Sequence, residues 1–185
     1  MNFLMSVTEP LPNDRDRKLD TYIQLIAEGS RDALASLYHH TRTSIYAFAL
    51  SVLRDPHDAE DVLQDTYLSI HSSAAGYRSA GKPMAWILTI AKNLCLMRLR
   101  EQKRTVSIDA EDWDRYLEAS CEMNADDRII LTQCMSRLSQ EEQQIITLHT
   151  VAGFKHREIA QFLGMPLATV LSKYHRGLKK LRAYL

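Results

Sequence analysis

Apolar residues recur at three- and four-residue intervals along most of this chain, and that period restricts its fold more than any other feature. Leu19, Tyr22, Ile23 and Ile26 open the pattern, and Leu34, Leu37, Tyr38, Ile45, Phe48, Ala49 and Val52 continue it. Residues so spaced share one face of an α-helix. Six Gly and five Pro in 185 residues leave few breaks. At Asp55-Pro56 the pattern stops, because a residue before proline is pushed out of the α region. A new helix is expected from His57-Asp58, with Val62, Leu63, Thr66, Tyr67 and Ile70 on its inner side. Residues 72–83, SSAAGYRSAGKP, are rich in loop formers, with local order expected at Ala74 to Tyr77. Pro83 suits a helix start, and Trp86, Ile87, Ile90, Leu94 and Met97 follow at helical spacing.

From 103 to 124 the period disappears into mixed, acidic sequence: Asp109 to Asp127 holds eight acids against one base, Arg115. It returns at Ile129, Ile130, Cys134 and Leu138, and Ser139 with Glu142 forms a capping-box pattern before another apolar run. The expected fold class is therefore all-α. The organisation is an N-terminal tail (1–18), a helical domain (19–102), a flexible acidic linker (103–124) and a second small helical domain (125–185).

A content of 45% apolar and 25% charged residues is that of a soluble globular protein. No stretch approaches the roughly 18 apolar residues of a membrane span, and the N-terminus lacks the pattern of a signal peptide. A cytoplasmic protein without membrane insertion is expected. Cys95, Cys121 and Cys134 form no metal-ligating pattern and read as free thiols. The seven His, including His39, His40 and His71, are scattered and read as surface or core residues. With no nucleophile–base pair, phosphate loop or metal cluster in view, neither an enzyme nor a cofactor is expected.

Net charge is zero, but the charges are segregated. Gly153 to Leu185 carries seven Lys or Arg against Glu158 alone; Lys92 to Arg104 is also basic, and Asp55 to Asp65 is acidic. Separate blocks suit separate partners. In the last block, Ala160, Gly164 and Val170 occupy the fifth, ninth and fifteenth positions counted from His156. A helix-turn-helix needs a small residue at its crossing, one tolerant of positive φ in its turn, and a β-branched plug below its second helix. Ile159 and Leu163 supply the first helix's inner face. The second helix, from about Leu167, presents Thr169, Ser172, Lys173 and Arg176 outward, types that reach base edges and phosphates. Lys179, Lys180 and Arg182 are expected against DNA backbone or solvent.

Asp58, Asp61 and Asp65, spaced i, i+3 and i+7 with Gln64 beside them, project from one helix face. Metal ligation is one reading, though the Glu-x-x-His pattern of helical metal sites is missing; a solvated acidic surface and a docking surface for a basic partner both fit better. Here the sequence becomes specific: DAEDVLQDTYLSIH resembles the core-polymerase-binding helix of bacterial RNA polymerase sigma factors of the extracytoplasmic function (ECF) group, in the sigma-70 family. YRSAGKPMAWILTIAKNLCLMRLR is similar to the family's next segments, with Trp86, Ala91, Asn93 and Arg100 at matching places. LSQEEQQIITLHTVAGFKHREIAQFLGMPLATVLSKYHRGLKKL is similar to its second domain.

The resemblance implies that Asp58, Asp61, Gln64 and Asp65 dock on the β′ clamp helices of core polymerase. It implies that Tyr77, Arg78 and Lys82 capture an unstacked base of the −10 element, although packing is a sufficient role for Tyr77 and the better one for Trp86. Lys92, Asn93, Arg98 and Arg100 then face −10 DNA, and Thr169, Ser172, Lys173 and Arg176 read the −35 element. Further implied partners are the β flap, promoter DNA and an anti-sigma factor, with the linker threading toward the RNA channel. Met97, Ala168, Leu171 and Lys173 depart from the family's usual Asp, Gly, basic residue and Arg. The Lys173 difference removes a bidentate fork, so the promoter sequence stays open. The expected function is promoter-specific initiation as an alternative sigma factor. A sigma-mimicking adaptor that sequesters an anti-sigma factor ranks lower, because no receiver-like segment follows the basic helix. A free-standing helix-turn-helix regulator leaves the Asp58–Asp65 stripe unexplained.

Overall fold

A computed structural model of the chain describes residues 14–102 and 136–183. The expected linker, most of the expected tail, Cys121 and Cys134 lie outside the described residues.

Helix α1 (Asp14–Ala27) begins ahead of the expected Leu19. Asp14 and Asp16 in its first turn suit the positive end of the helix dipole, and Leu19, Ile23 and Ile26 are buried. The apolar period alone runs on into α2 (Arg31–Leu53) without marking a break. Gly29, at φ 93°, makes that break. Ser30 then caps α2, its side chain accepting from the Ala33 amide at 3.2 Å.

Helix α2 stops one residue earlier than Asp55-Pro56 suggests. Arg54 takes a left-handed φ of 56° and its N–H donates to the Leu50 carbonyl at 2.9 Å. Asp55 is the N-cap of α3 (Pro56–Ser73), accepting from the Asp58 amide at 2.8 Å. Pro56 occupies the first turn, where its missing N–H costs nothing. A short 3-10 turn (Ala74–Gly76) supplies the order expected there, and α4 (Pro83–Gln102) starts at the expected proline.

Helix α2 lies at the centre, contacting α1, α3 and α4. Ile45, Phe48 and Leu50 of α2, Val62 and Ile70 of α3, and Ile87, Leu88 and Cys95 of α4 are almost fully buried. Thr41 donates to the Leu37 carbonyl at 2.7 Å and shares a 2.7 Å hydrogen bond with the Tyr67 hydroxyl, so neither hydroxyl is orphaned. Burial pushes the Cys95 thiol up to about 12. It is a packed, unreactive thiol.

The second half holds α5 (Gln140–Thr150), α6 (His156–Leu163) and α7 (Leu167–Arg182). The capping box of α5 is present: the Glu142 amide donates to Ser139 Oγ at 3.3 Å, and the Ser139 amide to Glu142 Oε2 at 2.9 Å. The α6–α7 turn has its left-handed Gly164 at φ 68°, with Ile159 and Val170 wholly buried and Ala160 nearly so. Gly177 brings α7 close to α5, since a Cβ there would lie 2.7 Å from Ile146 Cδ1.

The halves meet along α2 and α5. Ser44 donates to the Val151 carbonyl at 3.1 Å and Gln140 to the Val52 carbonyl at 2.9 Å. Phe48 and Phe162 meet edge to face at 5.5 Å.

Candidate functional site

Three surfaces carry the residues expected to act. The first is the exposed face of α3, whose start is fixed by the Asp55 cap. Asp58, Asp61 and Asp65 converge there on Arg98, which reaches across from α4 to the three carboxylates at 3.6, 3.1 and 3.6 Å. Arg98 is only one-third exposed. The sequence places it with the −10 contacts, whereas its guanidinium lies in the acidic face. Gln64 is exposed beside the stripe. One turn beyond Asp65, Leu68 is 69% exposed, an apolar knob that the sequence reading missed. Its signal was legible: Asp58, Asp61, Asp65 and Leu68 share one helical period.

The second surface runs from the 3-10 turn into α4. Tyr77 does not hang free in a loop. Its hydroxyl donates to Asp20 Oδ1 of α1, its ring meets Trp86 at 4.7 Å, and Ser79 donates to the other Asp20 oxygen at 2.8 Å. Burial, reinforced by the Asp20 carboxylate, raises the Tyr77 phenol well above its ordinary value. Arg78, Asn93 and Arg100 are exposed. Lys82 instead pairs with Glu158 of α6 at 3.2 Å. Lys92 donates to the Phe162 carbonyl at 2.5 Å and lies 4.9 Å above the Phe162 ring. Two cations expected on −10 DNA therefore hold the helix-turn-helix half.

The third surface is the outer face of α7. Ser172 and Arg176 are exposed, and Thr169 is half-buried. Lys173 is turned aside into an ion pair with Glu141 of α5. Lys180, expected on DNA backbone or in solvent, donates at 2.6 Å to Glu142, whose side chain is 2% exposed. Burial raises the Glu142 carboxyl, but the Lys180 ammonium and the Ser139 N–H outweigh it and hold the acid below its ordinary range. The solvent-facing stripe comprises Ala168, Ser172, His175, Arg176 and Lys179. His175 was missed from sequence, although it stands three residues after Ser172 on the same face.

Among the described residues no group of His, Cys, Asp and Glu could hold a metal ion, and no helix is long and apolar enough to cross a membrane.

Residues 37–105 match the Sigma-70 region 2 family model, and residues 128–181 the Sigma-70, region 4 model. The chain is 32% identical over 171 residues to the ECF RNA polymerase sigma factor SigK of Mycobacterium sp. (strain KMS), covering 89% of each. It is 30% identical over 178 residues to SigK of Mycobacterium ulcerans (strain Agy99), covering 92% of this chain and 95% of that one. In fold it is similar to the sigma factor RpoE crystallised with the anti-sigma factor NepR from Bartonella quintana, at TM-score 0.62 and 20% identity over 81% of this chain and 94% of that one. It is also similar to CnrH in complex with the cytosolic domain of CnrY, at TM-score 0.58 and 22% identity over 92% and 96%. An acidic helix face in one half, a helix-turn-helix in the other, and family matches to both in the same order lead to one conclusion: the chain belongs to the ECF sigma factors of the sigma-70 family, the group that directs RNA polymerase to particular promoters.

Proposed function

We propose that this sigma factor docks on the clamp helices of core polymerase through the α3 face of Asp58, Asp61, Gln64, Asp65 and Leu68. The half spanning 14–102 then handles the −10 element and the half spanning 136–183 the −35 element, with the linker directed toward the RNA channel and the second half resting on the β flap. Arg78, Asn93 and Arg100 are the exposed −10 contacts, joined by Lys82 and Lys92 once they leave α6. Base capture by Tyr77 needs its ring to part from Trp86 or to serve as the wall of the pocket; a flipped base exchanges lost stacking for contacts worth a few kcal/mol. Ser172 and Arg176 read the −35 element from the outer face of α7, and Thr169 contributes from its edge. Lys173 holds α7 in place and meets DNA only if Glu141 is released. The protein works in the cytoplasm without catalysis of its own, under the control of an anti-sigma factor; the similar sigma factor RpoE was crystallised with the anti-sigma factor NepR.

The observation that carries this reading is the acidic stripe on α3, which a stand-alone helix-turn-helix regulator does not need. Asp61→Lys combined with Asp65→Lys tests it. These carboxylates are about half exposed, and exposed ion pairs contribute only about 0–1 kcal/mol each, so the fold survives. Co-elution with core polymerase should fall at least tenfold while the helical circular-dichroism signal is kept. Undiminished co-elution by the folded variant would move the docking surface elsewhere.

A further inference from the structure

His149 and His156, both outside the surfaces above, stack face to face inside the helix-turn-helix half. Their ring centroids are 4.4 Å apart with planes inclined by 28°. His149 comes from the last turn of α5 and His156 is the first residue of α6. Tyr174 of α7 closes the cluster edge-on, 4.9 Å from His149 and 4.6 Å from His156. One aromatic group from each helix thus pins the three together at the point where α6 enters. His175, exposed on the outer face of α7, has its ring 5.8 Å from that of Tyr174.

The hydrogen bonds define how protons sit on this cluster. His149 Nδ1 lies 2.8 Å from the Phe154 carbonyl oxygen, which can only accept, so Nδ1 carries the proton. His156 Nε2 is buried without a hydrogen-bond partner. A neutral imidazole tolerates that, but an imidazolium would bring a charged donor there with nothing to receive it. The carboxylates that could compensate are engaged elsewhere. Glu141 and Glu142 at the far end of α5 hold Lys173 and Lys180 of α7. On α6 itself, Glu158 binds Lys82 and the Lys155 amide. The neighbours His156 feels are His149 and His175, each of which can only add positive charge, and burial with that repulsion holds His156 below the ordinary histidine value.

We propose that the stacked His149–His156 pair is a proton-sensitive clasp: its protonation in mildly acidic conditions unclasps α6 and α7 from α5, withdrawing the upstream DNA-reading surface while α3 and its docking face stay folded. The functional half of this statement rests on the reading of α7 as the −35 helix; the structural half does not. The sign follows from linkage. With the folded form binding its proton less readily than the unfolded chain, stability is complete above the ordinary histidine value of about 6.5 and falls as pH drops below it.

Amide hydrogen exchange on the full-length free chain tests the clasp without polymerase or promoter, after correction for intrinsic exchange rates. Between pH 7.5 and 5.5, α6 and α7 amides are expected to lose protection, while α3 amides keep theirs. His156→Phe keeps an aromatic ring in the stack but cannot titrate, so its α6 and α7 protection should be flat with pH; His149→Phe is the second variant should the first fold poorly. Equal pH responses in α3 and α7, or the same loss in a folded Phe variant, would overturn the proposal. Run-off transcription by the reconstituted holoenzyme at both pH values then reads the functional half. An α7 loss with unchanged transcripts would overturn that half alone.

Discussion

At the scale of single residues, charge complementarity decides more than exposure does. Lys180 had the look of a solvated cation at the end of a basic helix, yet it answers a nearly buried carboxylate that also caps α5. Lys180→Met should therefore destabilise the C-terminal half by about 1.5–3 kcal/mol, the usual worth of a hydrogen bond to a charged group. Urea unfolding followed by circular dichroism measures it. Because Glu142 is held below its ordinary carboxylate range, its contribution is complete above that range and fades as pH falls through its folded value. The wild-type excess over Lys180→Met should shrink in the same direction. Arg98 illustrates the converse: expected on −10 DNA, it lies against three carboxylates of the neighbouring helix. That contest between partners brought together by folding cannot be read from the spacing within either helix.

At the scale of elements, the sequence was most legible where local rules govern. The Ser139–Glu142 capping box, the Gly164 turn, the Pro83 start and the Val170 plug all follow from chemistry within a few residues, and each stands where expected. The α1–α2 break was hidden because apolar positions on both sides of Gly29 keep nearly the same period. The α2–α3 junction shifted because Arg54, a non-glycine residue, adopts a left-handed conformation. That geometry costs an ordinary side chain roughly 1–2 kcal/mol, and the extra unfolded-state freedom of glycine takes back about 0.4–1 kcal/mol, so Arg54→Gly should raise stability slightly, read as a higher urea midpoint at unchanged slope. Gly177→Val should do the opposite. The added carbons meet Ile146 at the α5–α7 contact, and overpacking of this kind costs about 1–3 kcal/mol, which thermal unfolding will show as a lower Tm.

For the whole molecule, the arrangement of the halves was out of reach of sequence. No local pattern announces that Lys92 will donate to Phe162, that Lys82 will pair with Glu158, or that Phe48 and Phe162 will meet. In this closed form, Lys82 and Lys92, two of the residues proposed to contact the −10 element, are committed to the helix-turn-helix half. On the proposed assignment, promoter engagement requires the halves to separate. Phe162→Ala should favour separation, measured as a longer mean distance between dyes attached to α3 and α7, and core polymerase should produce the same lengthening in the wild type.

The measurement that addresses the account most directly is reconstitution of the purified protein with bacterial core RNA polymerase, by gel filtration and then run-off transcription on fragmented genomic DNA. The account predicts a stable complex, discrete transcripts, loss of both with Asp61→Lys/Asp65→Lys, and loss of transcripts alone with Arg176→Ala. A folded wild-type protein that fails to associate with core polymerase would contradict it and favour an adaptor that binds an anti-sigma factor instead.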